Sequence, residues 1–203
     1  MNLIERVKNI IISPKTEWDV IKGETPDTAA IFTGYVLPLA GAAAAAAFIG
    51  YGLIGVNLGF GFRIKGFDWG MYQAITVLAG AFLSVFVSAF VIDMLAPSFE
   101  SEKNMGRSIQ LVAYSWTPGW IGGLLAIIPA LSIIGGLAGL YGLYLLYEGL
   151  PKLKNTSEDK KVAYYVVSLI TIILVFVLVG LLLREILTPA FGITHLSRGR
   201  WGI

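Results

Sequence analysis

The chain has 203 residues, of which 56% are hydrophobic and 14% charged, and its formal net charge is +2. A soluble domain has nearly twice that share of charged residues, so the composition predicts an all-α integral membrane protein instead. The small net charge gives no reason to expect a nucleic-acid partner. The absence of cysteine excludes disulfides and thiolate metal sites.

Residues 1–28 are predicted to form an amphipathic collar of two short helices, the second starting at Pro14. Two arrangements remain open. In one, the collar lies on the membrane surface as an interfacial helix with its apolar side chains in the headgroup region. In the other, it packs on the cytoplasmic face of the protein itself. The side chains that we expect at the interface are Val7, Ile11 and Trp18.

Five stretches of the chain are apolar and long enough to cross a bilayer as helices. The 24 glycines and the alanine run after Gly41 suit helices whose backbones approach closely in lipid. Such small-residue faces are also compatible with a homo-oligomer. The predicted spans are residues 31–55, 71–95, 109–128, 131–150 and 162–183.

The third and fourth spans are predicted to form a helical hairpin. No residue between Arg107 and Glu148 is charged, and at the rise of an α-helix this stretch is roughly 60 Å long, twice the hydrocarbon thickness. It must therefore cross twice. Pro129 and the glycine pair after it mark the turn.

The five spans divide the chain into the collar, a membrane domain at residues 29–185 and a tail at residues 186–203. Ten of the 15 lysines and arginines fall on the side of the amino terminus. The positive-inside rule therefore predicts a cytoplasmic amino terminus and an extracytoplasmic carboxyl terminus.

A polar vestibule is the first candidate site. Asp93, Arg107 and Glu148 all fall at the cytoplasmic ends of predicted spans, and Tyr114 lies above Arg107 on the third span. Ionisable residues at membrane depth are a functional hypothesis by default. In this hypothesis Arg107 or Lys103 is the counter-ion of Asp93. The alternative is a solvated carboxylate at headgroup depth.

Other residues are assigned to helix shape and packing. Pro118 removes a backbone donor and frees the carbonyl of Tyr114, which a serine, a threonine or water can satisfy. Gly135 and Gly139 are expected to form a close helix contact. On the second span Gly80, Ser84 and Ser88 recur every four residues, which is more typical of packing than of a solute path.

Enzyme activity is not predicted. The one histidine, His195, lies in the tail without a carboxylate or cysteine nearby in sequence. The sequence contains no zinc-protease, phosphate-loop or serine-hydrolase motif. We therefore predict no catalytic residues, no cofactor and no metal site.

Three stretches together carry a family resemblance: ISPKTEWDVI, FESEKNMGRSIQLVAYSWTPGW and IIPALSIIGGLAGLYGLYLLYEGLPKL. The chain resembles the Yip1 domain family over essentially its whole length. The resemblance implies a five-span helical domain with a cytoplasmic amino terminus. Eukaryotic members act in vesicle trafficking at the Golgi and endoplasmic reticulum, where they interact with small GTPases.

This chain departs from those members. It lacks their long amino-terminal region and their aspartate-leucine-tyrosine-glycine motif before the first span. It is similar to the short prokaryotic branch instead, which implies a prokaryotic cell membrane, and the GTPase partner does not carry over.

Two functions follow from the sequence. The first is a non-enzymatic adaptor or scaffold that acts through lipid or protein contacts. The second is a small transporter or channel that uses the vestibule and would need a cavity reaching the middle of the membrane. No internal repeat of the kind found in many transporters is evident, which favours the first.

Overall fold

The computed structural model describes residues 2–59 and 62–192, and most of these residues are helical. The first membrane helix is continuous but contains π-helical turns at Phe32–Val36 and Phe48–Ile54. The helices and strands are α1 (Leu3–Ile12), α2 (Pro14–Gly23), α3 (Thr28–Ile54), β1 (Val56–Gly59), β2 (Phe62–Ile64), α4 (Phe67–Leu95), α5 (Met105–Ser115), α6 (Thr117–Gly123), α7 (Ser132–Lys154) and α8 (Glu158–Ala190).

Among the described residues, four helices are long and apolar enough to cross a membrane: α3, α4, α7 and α8. They extend the predicted first, second, fourth and fifth spans by a few residues each. The predicted class, an all-α membrane protein with several spans, is therefore confirmed.

The third predicted span differs from the prediction because it is not one continuous helix. It is divided into α5 and α6, and a 3-10 turn at Leu124–Ile127 follows them. The break falls at Trp116, whose ψ is 0°. Pro118 is the physical cause, since it has no N–H to donate and its ring crowds the preceding turn.

The broken segment nevertheless runs beside α3 over its whole length. At one end, a Cβ on Gly106 would lie 2.8 Å from Pro26, just before α3. At the other, a Cβ on Gly50 would overlap the carbonyl of Ala126. The chain thus covers the same depth here as in α3, and a fifth pass through the membrane stays a prediction.

The predicted turn near Pro129 is confirmed. Ile128 is extended, Pro129–Leu131 forms a 3-10 turn, and α7 begins at Ser132. In the helical hairpin that results, a Cβ on Gly135 would lie 2.2 Å from the carbonyl oxygen of Gly122. Only glycine permits this approach.

Residues 56–69, between the first two predicted spans, contain a two-stranded antiparallel hairpin. Val56 pairs with Ile64 and Asn57 with Arg63. Gly55 has a φ of +86° at the end of α3, and a Cβ there would lie 2.7 Å from the carbonyl of Ile64. Glycine is therefore required at this junction.

The bundle has two distinct ends. We call the end with α1, α2, Asp93 and Lys154 the collar end, and the end with the β hairpin and the Pro129 turn the hairpin end. Residues 108–115 of α5 are buried throughout, because α3, α4 and α7 pack against this segment and the collar covers Tyr114 with Arg6 of α1 and Trp18 of α2.

The connection between the fourth and fifth predicted spans, residues 151–161, is mostly helical. α7 continues through Pro151 to Lys154, and Asn155, with a φ of 48°, makes the turn into α8. α8 ends at Ala190, beyond the predicted boundary. His195 and most of the predicted tail lie outside the described residues.

Candidate functional site

Asp93 lies near the end of α4 and is buried, with 6% of its surface exposed. Its Oδ1 accepts hydrogen bonds from the backbone N–H of Asn104 at 2.7 Å and from the Ser108 hydroxyl at 3.1 Å. Its counter-ion is Lys154, whose Nζ lies 2.7 Å away, and not Arg107 or Lys103 as predicted. The acid thus joins α4, α5 and α7.

The Lys154 ammonium is fully buried. Besides Asp93, it donates to the Ser108 hydroxyl at 2.9 Å and to the Asn104 carbonyl at 3.3 Å. Each of its three protons therefore has an acceptor. Burying such a pair costs desolvation energy, which is offset only when the remaining hydrogen bonds are satisfied in this way.

Arg107 holds the collar instead. Its guanidinium donates to the carbonyls of Ile21 and Lys22 at 2.9 and 2.8 Å, and to the Gln110 side chain at 3.0 Å. These two carbonyls belong to the last turn of α2, whose carbonyls lack the usual donor four residues further on; that of Ile21 also accepts from the Glu24 N–H at 3.1 Å. A cation at a helix C-terminus also suits the helix dipole.

Tyr114 belongs to a second buried cluster, built around Arg6. The Arg6 guanidinium lies over the Tyr114 ring, 5.4 Å from its centroid, and pairs with Glu17 and Glu24. The Tyr35 ring meets the Tyr114 ring edge-on at 4.7 Å. The helical period of residues 2–12 places Arg6 opposite the apolar face of α1, and so predicts a water-facing side chain. The structure instead buries it between the collar and the spans.

The carbonyl that Pro118 leaves free is satisfied as predicted. The Thr117 hydroxyl donates to the Tyr114 carbonyl at 2.7 Å. Since that proton is used, the Tyr35 hydroxyl, 2.6 Å from the Thr117 oxygen, must be the donor of the second bond. The kink is thereby tied to α3.

Glu148 is half-buried, and within the described residues its side chain makes no ion pair or hydrogen bond. The structure thus distributes the four predicted vestibule residues over separate places. Asp93 pairs with Lys154 of α7, Arg107 binds α2 and Tyr114 packs on Arg6. Glu148 forms no ion pair or hydrogen bond with any of the other three.

The collar packs on the bundle, the second of the two arrangements left open by the sequence. Trp18 is fully buried, and Gly149 makes room for it, because a Cβ there would lie 2.6 Å from the indole. Val7 and Ile11 are half-buried against the core. The apolar collar residues most exposed to the surroundings are Ile4 and Ile12, at 78% and 68%.

A cavity of about 520 Å³ lies between the spans at the hairpin end. Its lining includes Tyr51 of α3, Gln73 and Ser84 of α4, Trp116, Gly136 of α7 and Gly180 of α8. The sequence signal for it was the Gly80, Ser84 and Ser88 stripe, of which the first two members line the cavity.

Among residues 2–59 and 62–192, no group of three or more histidine, aspartate or glutamate side chains could hold a metal ion. The buried charged side chains in the same ranges are Arg6, Glu17, Asp93 and Lys154. Each of them is in an ion pair with another of the four.

The comparison with known families agrees with the resemblance found in the sequence. The family model described as the Yip1 domain matches residues 8–181, which is most of the chain. No curated protein and no solved structure shows a significant match.

Proposed function

The chain belongs to the Yip1 domain family, and from that premise we propose that it is a non-enzymatic adaptor or scaffold that acts through contacts with membrane lipids or other proteins. Its role would lie in membrane organisation or trafficking. The amino terminus and the collar end face the cytoplasm in this proposal, and the carboxyl terminus lies outside, in a prokaryotic cell membrane.

One observation carries the proposal. The buried charges of the described residues are all paired with each other, so none of them is left to act on a substrate. Catalytic acids and bases need a reacting group within hydrogen-bond reach, and these four side chains reach only the protein itself. A role in contacts requires no such group.

The collar offers the clearest contact surface. Ile4 and Ile12 lie two helical turns apart on α1, and exposed large apolar side chains on an otherwise anchored helix indicate a lipid or protein interface. Lys8 lies between them and is exposed as well. Its cation suits the anionic cytoplasmic leaflet.

The test is crosslinking in native membranes, followed by purification and identification of the bound proteins and lipids. We expect Ile4→Asp with Ile12→Asp to lose most of the captured material without unfolding the bundle. The matched control places two aspartates at exposed polar collar positions, Thr16→Asp with Thr25→Asp. Equal capture by both variants would contradict the proposal.

The cavity at the hairpin end supports a second candidate, a small-solute or ion transporter, because such a protein needs space near the middle of the membrane. Glu148 remains the vestibule residue without a partner among the described residues. This candidate predicts flux in proteoliposomes that falls in Glu148→Gln. No flux across a broad solute and ion panel would remove it.

A further inference from the structure

The cavity occupies only one half of the bundle's depth. Along α4, Ser84 lies nine residues from Asp93 and Gln73 twenty residues, which places them about 13 and 30 Å from the level of Asp93 at a helical rise of 1.5 Å. The cavity is therefore about 17 Å long, close to the half-thickness of a bilayer's hydrocarbon core, roughly 15 Å.

Aromatic side chains close the cavity towards the collar end. The Trp116 and Phe176 rings meet at 4.8 Å and line its deep end. Beyond them, α7 and α8 are joined by the Tyr147 and Tyr165 rings, 5.2 Å apart. The Tyr165 hydroxyl also donates to the Leu143 carbonyl at 3.2 Å.

The cavity is open sideways between α7 and α8. Gly136 and Gly180 line it from these two helices, and a Cβ on either would meet no atom within 4 Å. Gly135, only one residue away, is pressed against Gly122. Gly136 and Gly180 therefore border open space that the surrounding bilayer can enter.

The chemistry of the lining favours hydrocarbon. None of the described residues that line the cavity is charged. Three of the polar side chains are already used: the Tyr51 and Ser132 hydroxyls bond each other at 3.1 Å, and the Thr76 hydroxyl donates to the carbonyl of Tyr72. An apolar cavity open to a bilayer fills with what surrounds it, which is acyl chain.

The size of the cavity agrees with a single chain. An engineered apolar cavity of about 150 Å³ binds benzene, a molecule of six carbons. The present cavity is between three and four times larger in volume. At the same volume per carbon it would hold on the order of 20 carbons. A transmembrane helix of a second copy would need a groove over the full depth, and the Trp116–Phe176 contact ends this one midway.

The mouth of the cavity is suited to an anionic headgroup. Arg63 of β2 and Lys65, which follows it, are exposed at the hairpin end of the bundle. At the same end, the Tyr51 ring, which lines the cavity, meets the Trp69 ring at 6.4 Å. The Trp69 and Tyr72 rings stack at 5.4 Å beside it. Aromatic side chains with cations are typical of the headgroup level.

We propose that this cavity, which we call the crevice, binds one acyl chain of an anionic phospholipid from the leaflet at the hairpin end. The headgroup phosphate lies beside Arg63 and Lys65, and the chain ends on Trp116 and Phe176. The inference rests on the proposed function in one respect, namely that the protein acts through contacts in the membrane, and it specifies the lipid site.

The test uses the full chain in vesicles of phosphatidylcholine and phosphatidylglycerol, with a trace of phosphatidylglycerol that carries a diazirine near the end of one acyl chain. After illumination, labelled peptides are mapped by mass spectrometry. We expect labelling at Trp116 and Phe176 to exceed that at Phe86 and Phe90, which face outward on α4, by at least several-fold.

Filling the crevice should remove this labelling. Gly136→Leu with Gly180→Leu is expected to lower it at least fivefold while the outward positions keep theirs. The matched control is Gly34→Leu with Gly41→Leu on α3, where a Cβ also meets open space but outside the cavity lining. Unchanged crevice labelling in the filled variant would overturn the proposal.

Further variants distinguish the proposed lipid from other occupants of the crevice. Arg63→Gln with Lys65→Gln should abolish the preference for the phosphatidylglycerol probe over a phosphatidylcholine probe, and a retained preference overturns the headgroup assignment. Ser84→Ala should leave labelling unchanged, because hydrocarbon cannot bond the hydroxyl. Loss of labelling in Ser84→Ala would indicate a polar solute, and dissociation of a dimer by crevice filling would indicate a second copy.

These outcomes are independent of the proposed function. If crevice labelling fails while the Ile4 and Ile12 variant still loses its captured partners, the lipid site is rejected and the contact function stands. If the crevice is labelled but the collar variant captures normally, the collar's role in the contact function is rejected.

Discussion

The two halves of the bundle are held together by different interactions. The collar half contains two buried ionic clusters, one around Arg6 and one joining Asp93 to Lys154. The hairpin half relies on backbone contact between glycines such as Gly122 and Gly135, and its cavity has no charged lining among the described residues.

The difference shows that buried polar residues and small residues stabilise a membrane protein in different ways. A buried ionic cluster is stable only when every member is satisfied, so it fixes one arrangement of the helices. Glycine contacts act only where two backbones meet, and the helices can separate beyond them. The collar half is consequently closed, and the hairpin half contains an open crevice.

Loss of one partner in the collar half should have the largest effect. Lys154→Met leaves the buried Asp93 carboxylate without its counter-ion, and breaking a buried pair in this way costs about 3–5 kcal/mol. The free energy of unfolding in detergent, followed by circular dichroism, measures this loss.

The matched control removes both charges. Asp93→Leu with Lys154→Met should recover most of the stability, because replacing a whole buried pair by apolar side chains is often neutral. If the double variant is as unstable as Lys154→Met alone, the cost comes from packing and not from the orphaned charge.

An intermediate effect is expected in the hairpin half. Gly135→Ala forces a methyl group against the Gly122 carbonyl, so the helical hairpin must open, at a cost of about 1–3 kcal/mol. Gly136→Ala, one residue on, enters open space and should cost nothing measurable. Equal losses in the two variants would show that the hairpin is not held by this contact.

Local features of the fold could be predicted from the sequence. Four of the spans follow from apolar runs, and the helical hairpin turn follows from Pro129 and the glycines after it. Thr117 satisfies the Tyr114 carbonyl because donor and acceptor are three residues apart in the same segment. Each of these features depends on residues that are close in the chain.

The candidate site could not be predicted in the same way, because its contacts join distant residues. Lys154 lies 61 residues from Asp93, whereas the expected counter-ion Arg107 lies much nearer in sequence. For Arg6, helical periodicity identified the polar face of α1, but not that α2 and the spans would cover it. The crevice likewise depends on how far apart α7 and α8 lie at the hairpin end, and this separation is not set by residues close in the chain.

The smallest effect is expected where the two halves meet. Tyr35→Phe removes the hydroxyl that donates to Thr117 beside the crevice floor. Hydrogen bonds between membrane helices contribute about 0.6 kcal/mol on average, and the Thr117 hydroxyl keeps its own bond to Tyr114. The variant should therefore lose about 0.5–1 kcal/mol in the same unfolding measurement.

Tyr144→Phe is the control for this change. Its ring is 38% exposed, and within the described residues its hydroxyl makes no hydrogen bond. We expect no loss of stability there. A Tyr35→Phe loss as large as that of Lys154→Met would mean that the kink is part of the buried polar network of the collar half, and that the division between the halves lies closer to the hairpin end than Trp116.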